Sequence, residues 1–183
     1  MSGPHDEGTP TPGLDFVWES RVSMREDAMN APDDIHVDDS LWPLVHVRFL
    51  GVPTTPQVEA YLARMTSLVE RGEPYVSILD SSRMTGMGPP HQRHLQAAWK
   101  KQHAERLKVL NQGTAFVITS PLVRLAVSTV FYLTPMHSPY LIAASLPQAV
   151  AWAVQRLEAS GLHAAAERAR QEFGLGASRH AGP

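Results

Sequence analysis

The sequence predicts an α/β domain: a mixed β-sheet flanked by four principal helices and followed by a C-terminal helix. Two stretches carry this reading. In the first, Gly113 to Leu157 runs strand, helix, strand, helix. Thr114 to Thr119 is short, β-branched and apolar, and it ends at Ser120-Pro121, a hydroxyl cap followed by a proline that a first helical turn tolerates. Tyr140 to Ala144 is a second apolar run, and Ser145-Leu146-Pro147-Gln148 opens a helix that Gly161 closes. The crossover between the two strands makes them parallel. In the second stretch, Val45, Val47 and Phe49 alternate with His46 and Arg48, the period of a half-buried strand. With Ile35 to Val37 just ahead, it predicts an antiparallel pair opening the sheet.

Along the chain, residues 1–32 read as a largely disordered extension rich in Gly, Pro, Thr and acids. Within it, 14–22 (LDFVWESRV) places Phe16 and Trp18 among other apolar groups. That segment suits either an extra strand or turn on the domain or a docking peptide for a partner. The domain itself is assigned to 33–160, and 161–183 to a C-terminal helix and mobile tail. Thr54-Thr55-Pro56 starts a helix to about Glu70, with Val58, Tyr61, Leu62, Met65, Leu68 and Val69 on one stripe and Gly72 as its stop. Tyr75 to Leu79 is the next strand, ending at Asp80-Ser81-Ser82-Arg83, and Met84 to Pro90 is a loop. His91 to Leu110 reads as one long helix with a basic exposed side. The expected core is Val45, Val47, Phe49, Leu62, Val76, Ile78, Phe116, Ile118, Leu141 and Trp152.

Leu122 to Leu133 is apolar around its whole circumference, and one sheet covers about half of a helix. The stripe Leu122, Leu125, Ala126 and Phe131 is assigned to the sheet and Val123, Val127, Val130 and Leu133 to an interface. A homodimer about a two-fold axis is the expected cover, with the 14–22 segment or the C-terminal helix as alternatives.

Composition bounds the chemistry. The chain has 183 residues, 43% hydrophobic and 19% charged, as expected of one domain plus tails. With no cysteine, thiol nucleophiles, disulfides and thiolate zinc sites are excluded, and a cytoplasmic setting is expected. No apolar run reaches a membrane span or resembles a signal peptide. A net charge of −2 argues against a general nucleic-acid binder. His91, His94 and His103 share a helix without a nearby carboxylate or cysteine and read as solvated, not as a metal site. No nucleophile elbow, dinucleotide fingerprint or phosphate loop occurs, so no cofactor and no enzymatic activity are expected. Trp99 and Trp152 read as core anchors.

The element order from Ile35 to Leu157, with Pro121-Leu122-Val123-Arg124-Leu125-Ala126 after an apolar strand and Gln148-Ala149-Val150-Ala151-Trp152 in the closing helix, resembles the STAS fold of anti-sigma-factor antagonists. It is most similar to the SpoIIAA-like, or STAS/SEC14-like, branch. The resemblance implies a non-enzymatic regulatory or scaffolding module that binds a protein partner. It also implies an alternative, a SEC14-like carrier or sensor of a small apolar or lipid ligand. The family's phosphorylatable serine precedes the second helix, and the resemblance makes Ser81, Ser82 and Thr85 its candidates. Here Asp80-Ser81-Ser82 sits at a strand end before Arg83, so either the loop has slipped or the switch is gone.

Overall fold

A computed structural model of the chain describes residues 34–133, 136 and 138–175. The 14–22 segment, with Phe16 and Trp18, and the tail beyond residue 175 lie outside the described residues. The strands are β1 (Asp34–Asp38), β2 (Leu44–Gly51), β3 (Tyr75–Met84), β4 (Asn111–Val117) and β5 (Tyr140–Ala143). The helices are α1 (Thr55–Glu70), α2 (Pro90–Gln102), α3 (Ala104–Leu110), α4 (Pro121–Leu133), α5 (Leu146–Ala159) and α6 (His163–Glu172).

The five strands form one sheet in chain order, β1-β2-β3-β4-β5. β1 and β2 are antiparallel and β4 and β5 parallel, as the sequence predicts, and β2–β3 and β3–β4 are parallel as well. When strand order follows chain order, right-handed crossovers all deliver their helices to the same side of the sheet. α1, α2 with α3, and α4 therefore share one face. α5 and α6, which follow the last strand, cover the other.

Alternation along the strands feeds two cores. On the α5/α6 face Leu44, Val76, Ile78, Ala115, Val117 and Ala143 meet Ala149, Val150, Ala153, Val154 and Leu157. On the α1 face Val45, Val47 and Tyr75 meet Met65, Leu68, Val69 and Leu110. Val45, Val47, Val76 and Ile78 are buried as expected, whereas Phe49, Leu62, Phe116, Ile118, Leu141 and Trp152 are half-buried.

Helix ends follow their local chemistry. The Thr54 backbone N–H donates to Gln57 Oε1 at 2.7 Å, a capping box at the start of α1. Gly72 and Gly161, the predicted stops, have φ of 70° and 76°, where a side chain would be strained.

Three elements depart from the sequence reading. The long helix divides at His103, whose φ of −101° and ψ of 11° interrupt it between α2 and α3. β3 does not end at Leu79 but continues to Met84, because Arg83 and Met84 pair with Leu50 and Gly51 after a local irregularity in register. α6, which the sequence reading sets beyond the domain proper, packs into it: Ala165, Ala166 and Ala169 are buried, and Leu162, Phe173 and Leu175 pack against the same core. Small side chains let α6 lie close to its neighbours.

Candidate functional site

The longer β3 decides where the candidate switch residues stand. Ser81 is half-buried, and its hydroxyl donates to the Val117 carbonyl at 2.8 Å, tying β3 to β4. Ser82 is exposed, and its backbone N–H donates to the Asp80 carboxylate at 2.9 Å. Thr85 is exposed just past the strand, and its N–H donates to the Gly51 carbonyl at 3.1 Å. The cap position of α2 is Pro89, so none of the three hydroxyls lies at a helix N-terminus where the dipole favours phosphate.

The loop between β3 and α2 is instead fastened by a residue the sequence reading passed over. Gln92 is buried, and its amide donates to the Pro53 carbonyl at 2.9 Å, joining the start of α2 to the start of α1. Its signal in the sequence is Gly88, where an added Cβ would lie 1.9 Å from Gln92 Oε1.

Asp80 turns to the α5/α6 face, 3.9 Å from His46 Nε2, in a polar hollow of about 320 Å³ that Arg48, Arg83, Glu172 and Phe173 help to line. Burial raises the Asp80 pKa, but His46 and Ser82 outweigh it, and the carboxyl is held below its ordinary value. His46 Nε2 is buried without a hydrogen-bond partner among the described residues. The three helix histidines do not converge. His91 pairs with the Thr55 hydroxyl at 2.7 Å, His94 is exposed, and His103 packs on Trp99 with ring centroids 4.9 Å apart. Among the described residues there is no cluster of three metal-ligating side chains, and no helix is long and apolar enough to cross a membrane.

α4 is the unusual helix. Arg124 near its start donates to the Ile118 and Thr119 carbonyls, both at 3.0 Å, and so grips the end of the chain leaving β4. Near its other end Phe131 packs on Phe116 and Tyr140, with centroids 5.2 and 5.0 Å apart. The outer face of the helix is left open to water. Leu122 is 78% exposed, Leu125 66%, Tyr132 84% and Val123 47%. Leu122, Leu125, Thr129 and Tyr132 follow one another at spacings of three, four and three, a single outward stripe. This corrects the assignment of Leu122 and Leu125 to the sheet. Of the proposed interface residues, Val123 is exposed and Val127 is half-buried, while the side chains of Val130 and Leu133 lie outside the described residues.

A cleft of about 460 Å³ opens between the Phe131 end of α4 and α2/α3, over the sheet face that carries Tyr75, Ser77, Thr114 and Phe116. Trp99 forms part of one wall, oriented by donation from its indole N–H to the Thr66 hydroxyl at 2.8 Å. At the base, the Asn111 amide donates to the Thr114 hydroxyl at 2.9 Å, and Ser77 and Thr114 share a hydrogen bond of the same length. That polar group is satisfied internally.

No family model matches the chain, and no curated protein does. Solved structures do. A protein of the DUF3478 family with a SpoIIAA-like fold, from Shewanella loihica PV-4, is 15% identical with a TM-score of 0.52, covering 65% of this chain and 91% of its own. The anti-sigma factor antagonist SpoIIAA in its unphosphorylated form is 17% identical, TM-score 0.47, covering 64% and 96% respectively. An anti-sigma factor antagonist from Mycobacterium paratuberculosis is 15% identical, TM-score 0.42, covering 67% and 96%. The first likeness is one of fold: the domain has a SpoIIAA-like α/β fold.

Proposed function

We propose that the domain is a non-enzymatic interaction module, regulatory or scaffolding in role, and that α4 is its docking element. The observation that carries this is the outward stripe Leu122, Leu125 and Tyr132, flanked by Val123. An apolar helix face left in water costs free energy that burial against a partner recovers. The occupant is a second copy of the chain. The stripe bears no charge, since Arg124, the charged residue of α4, is spent on the Ile118 and Thr119 carbonyls. A face without charge does not repel its own copy, and a two-fold axis lets it cover itself. A further protein partner would then meet the dimer. Within this reading a regulatory phosphate goes to Ser82 or Thr85, whose side chains are exposed, and not to Ser81.

Sedimentation of the full chain tests it. The wild type should be dimeric at tens of micromolar, and Leu122→Glu with Leu125→Glu should give a monomer with an unchanged melting temperature. A monomeric wild type, or a double variant that stays dimeric, overturns the dimer.

The cleft favours a second reading, a carrier or sensor of a small apolar ligand. Its volume of about 460 Å³ falls within the range of roughly 300–1,000 Å³ usual for small-molecule sites.

A further inference from the structure

The apolar lining of the cleft includes Met65, Leu79, Leu107, Phe116, Phe131 and Met136. Its ionisable lining is of another kind: Tyr61, Tyr75, Lys100, Lys101 and Lys108, with no carboxylate among the described lining residues. Tyr75 is 1% exposed, and burial pushes its phenol up to about 12. Burial, with Tyr75 nearby, also raises Tyr61. Both hydroxyls therefore stay protonated at neutral pH, and neither has a hydrogen-bond partner among the described residues. Both can donate to a ligand atom in the cleft.

The lysines repeat the pattern. Their side chains are exposed at the edge of the cleft, on α2 and α3, and none pairs with an acid among the described residues. Partial desolvation draws the Lys100 ammonium below its ordinary value, as expected where a cation leans over an apolar wall. The cations that do pair are arginines elsewhere: Arg64 and Arg71 with Asp39, and Arg170 with Glu158. All three lysines of the chain, whose net charge is −2, thus stand beside this one cleft.

We infer that the cleft binds a single-chain amphiphile with an anionic head, of the fatty carboxylate class, its tail on Met65, Leu79, Phe116 and Phe131 and its head among Lys100, Lys101 and Lys108. This rests on the carrier reading above and adds the charge and shape of the ligand. A site whose ionisable groups are cations and protonated phenols offers charged and neutral donors to an anion and no counter-charge to a cationic head. A volume of about 460 Å³ lies in the lower half of the usual range and suits one chain better than a two-chain lipid. Trp99 and Phe131 then bracket the tail from opposite walls.

Calorimetric titration of the full chain with dodecanoate, below its micellar concentration, and with dodecan-1-ol tests the charge and the site separately. Dodecanoate should bind about ten-fold more tightly than the alcohol, a gap of roughly 1.4 kcal/mol, and the gap should narrow as salt is raised. Lys100→Met with Lys108→Met should remove the preference and leave alcohol binding unchanged. Lys100→Arg with Lys108→Arg should retain it. Equal affinity for acid and alcohol in the wild type overturns the anionic head while the carrier reading stands. Binding of neither overturns both. Dodecanoate binding that survives Ala104→Trp, which fills the cleft from the start of α3, overturns the cleft as the site.

Discussion

α4 and α5 are successive helices of one βαβα unit, and both are rich in apolar residues, yet their fates differ. α5 is sunk in its face of the sheet, with Ala149, Val150, Ala153, Val154 and Leu157 buried. α4 leaves Leu122, Leu125 and Tyr132 in water. The difference lies in size at the contact. Against α5 the sheet presents Gly113, where an added Cβ would come within 2.8 Å of the Trp152 ring, and α5 answers with alanines. Against α4 it presents Phe116 and Tyr140, and α4 answers with Phe131. Small residues let a helix settle, and three aromatic rings hold one away and leave the cleft beneath it. Apolar content alone therefore does not decide burial; the shape of the facing surface does.

The largest effects should separate the two faces. Leu157→Ala removes a fully buried side chain from the closed face and should cost about 2–5 kcal/mol, read by denaturant unfolding. Phe116→Ala, on the cleft face, should cost roughly half of the 3–5 kcal/mol of a fully buried phenylalanine, because its surroundings are already open. If Phe116→Ala proves the costlier of the two, the cleft is closed in solution and the contrast between faces fails.

Gly113→Ala probes the close approach of α5. The new methyl meets Trp152 Cη2 at 2.8 Å and Arg156 Cγ at 3.2 Å, so the indole must move. Overpacking of this kind costs about 1–3 kcal/mol. Trp152→Leu should recover most of it, a coupling that a double-mutant cycle reads directly. A Gly113→Ala variant as stable as wild type would mean that α5 has slack, and that small residues are not what seats it.

The strands were legible because alternation and turn residues agree, as at Val45, Val47 and Phe49, and the helix stops because Gly72 and Gly161 sit where φ turns positive. What escaped the sequence depended on partners far along the chain. Asp80-Ser81-Ser82-Arg83 is polar enough to read as a turn, and it becomes strand because β2 extends alongside it. The break at His103 carries no glycine or proline to announce it. The excess of apolar surface on α4 was visible, but its direction was not, since a helix apolar all round gives no face to choose. The cleft needs Trp99, Phe116 and Phe131, from three elements, at a separation that no local pattern encodes.

The smallest expected effect concerns how α1, in contrast to α4, is latched to the sheet. Asp39, in the turn between β1 and β2, accepts hydrogen bonds from Arg64 in the C-terminal half of α1 at 2.7 Å and from Arg71 just past its end at 2.6 Å. Arg71 also lies over the Trp42 ring, 4.4 Å from its centroid. Burial raises the Asp39 pKa, and the two arginines outweigh that, so its carboxyl sits below the ordinary 3.8. A carboxylate whose pKa is lower folded than unfolded adds stability that is complete above the unfolded value and disappears as pH falls through the folded one. Both arginines are partly open to water, so Asp39→Asn should cost about 1 kcal/mol or less at pH 7. The informative quantity is the difference between wild type and variant as pH is lowered from 6 to below about 4. Asp38 and Asp80 are also held low and will erode the stability of both proteins over the same range. Their contribution cancels in the difference, which should shrink toward zero in acid if the Asp39 charge is what latches α1. A difference that persists unchanged into acid would place the contribution of Asp39 in packing, and would leave α1 held, like α5, by the fit of its apolar side chains.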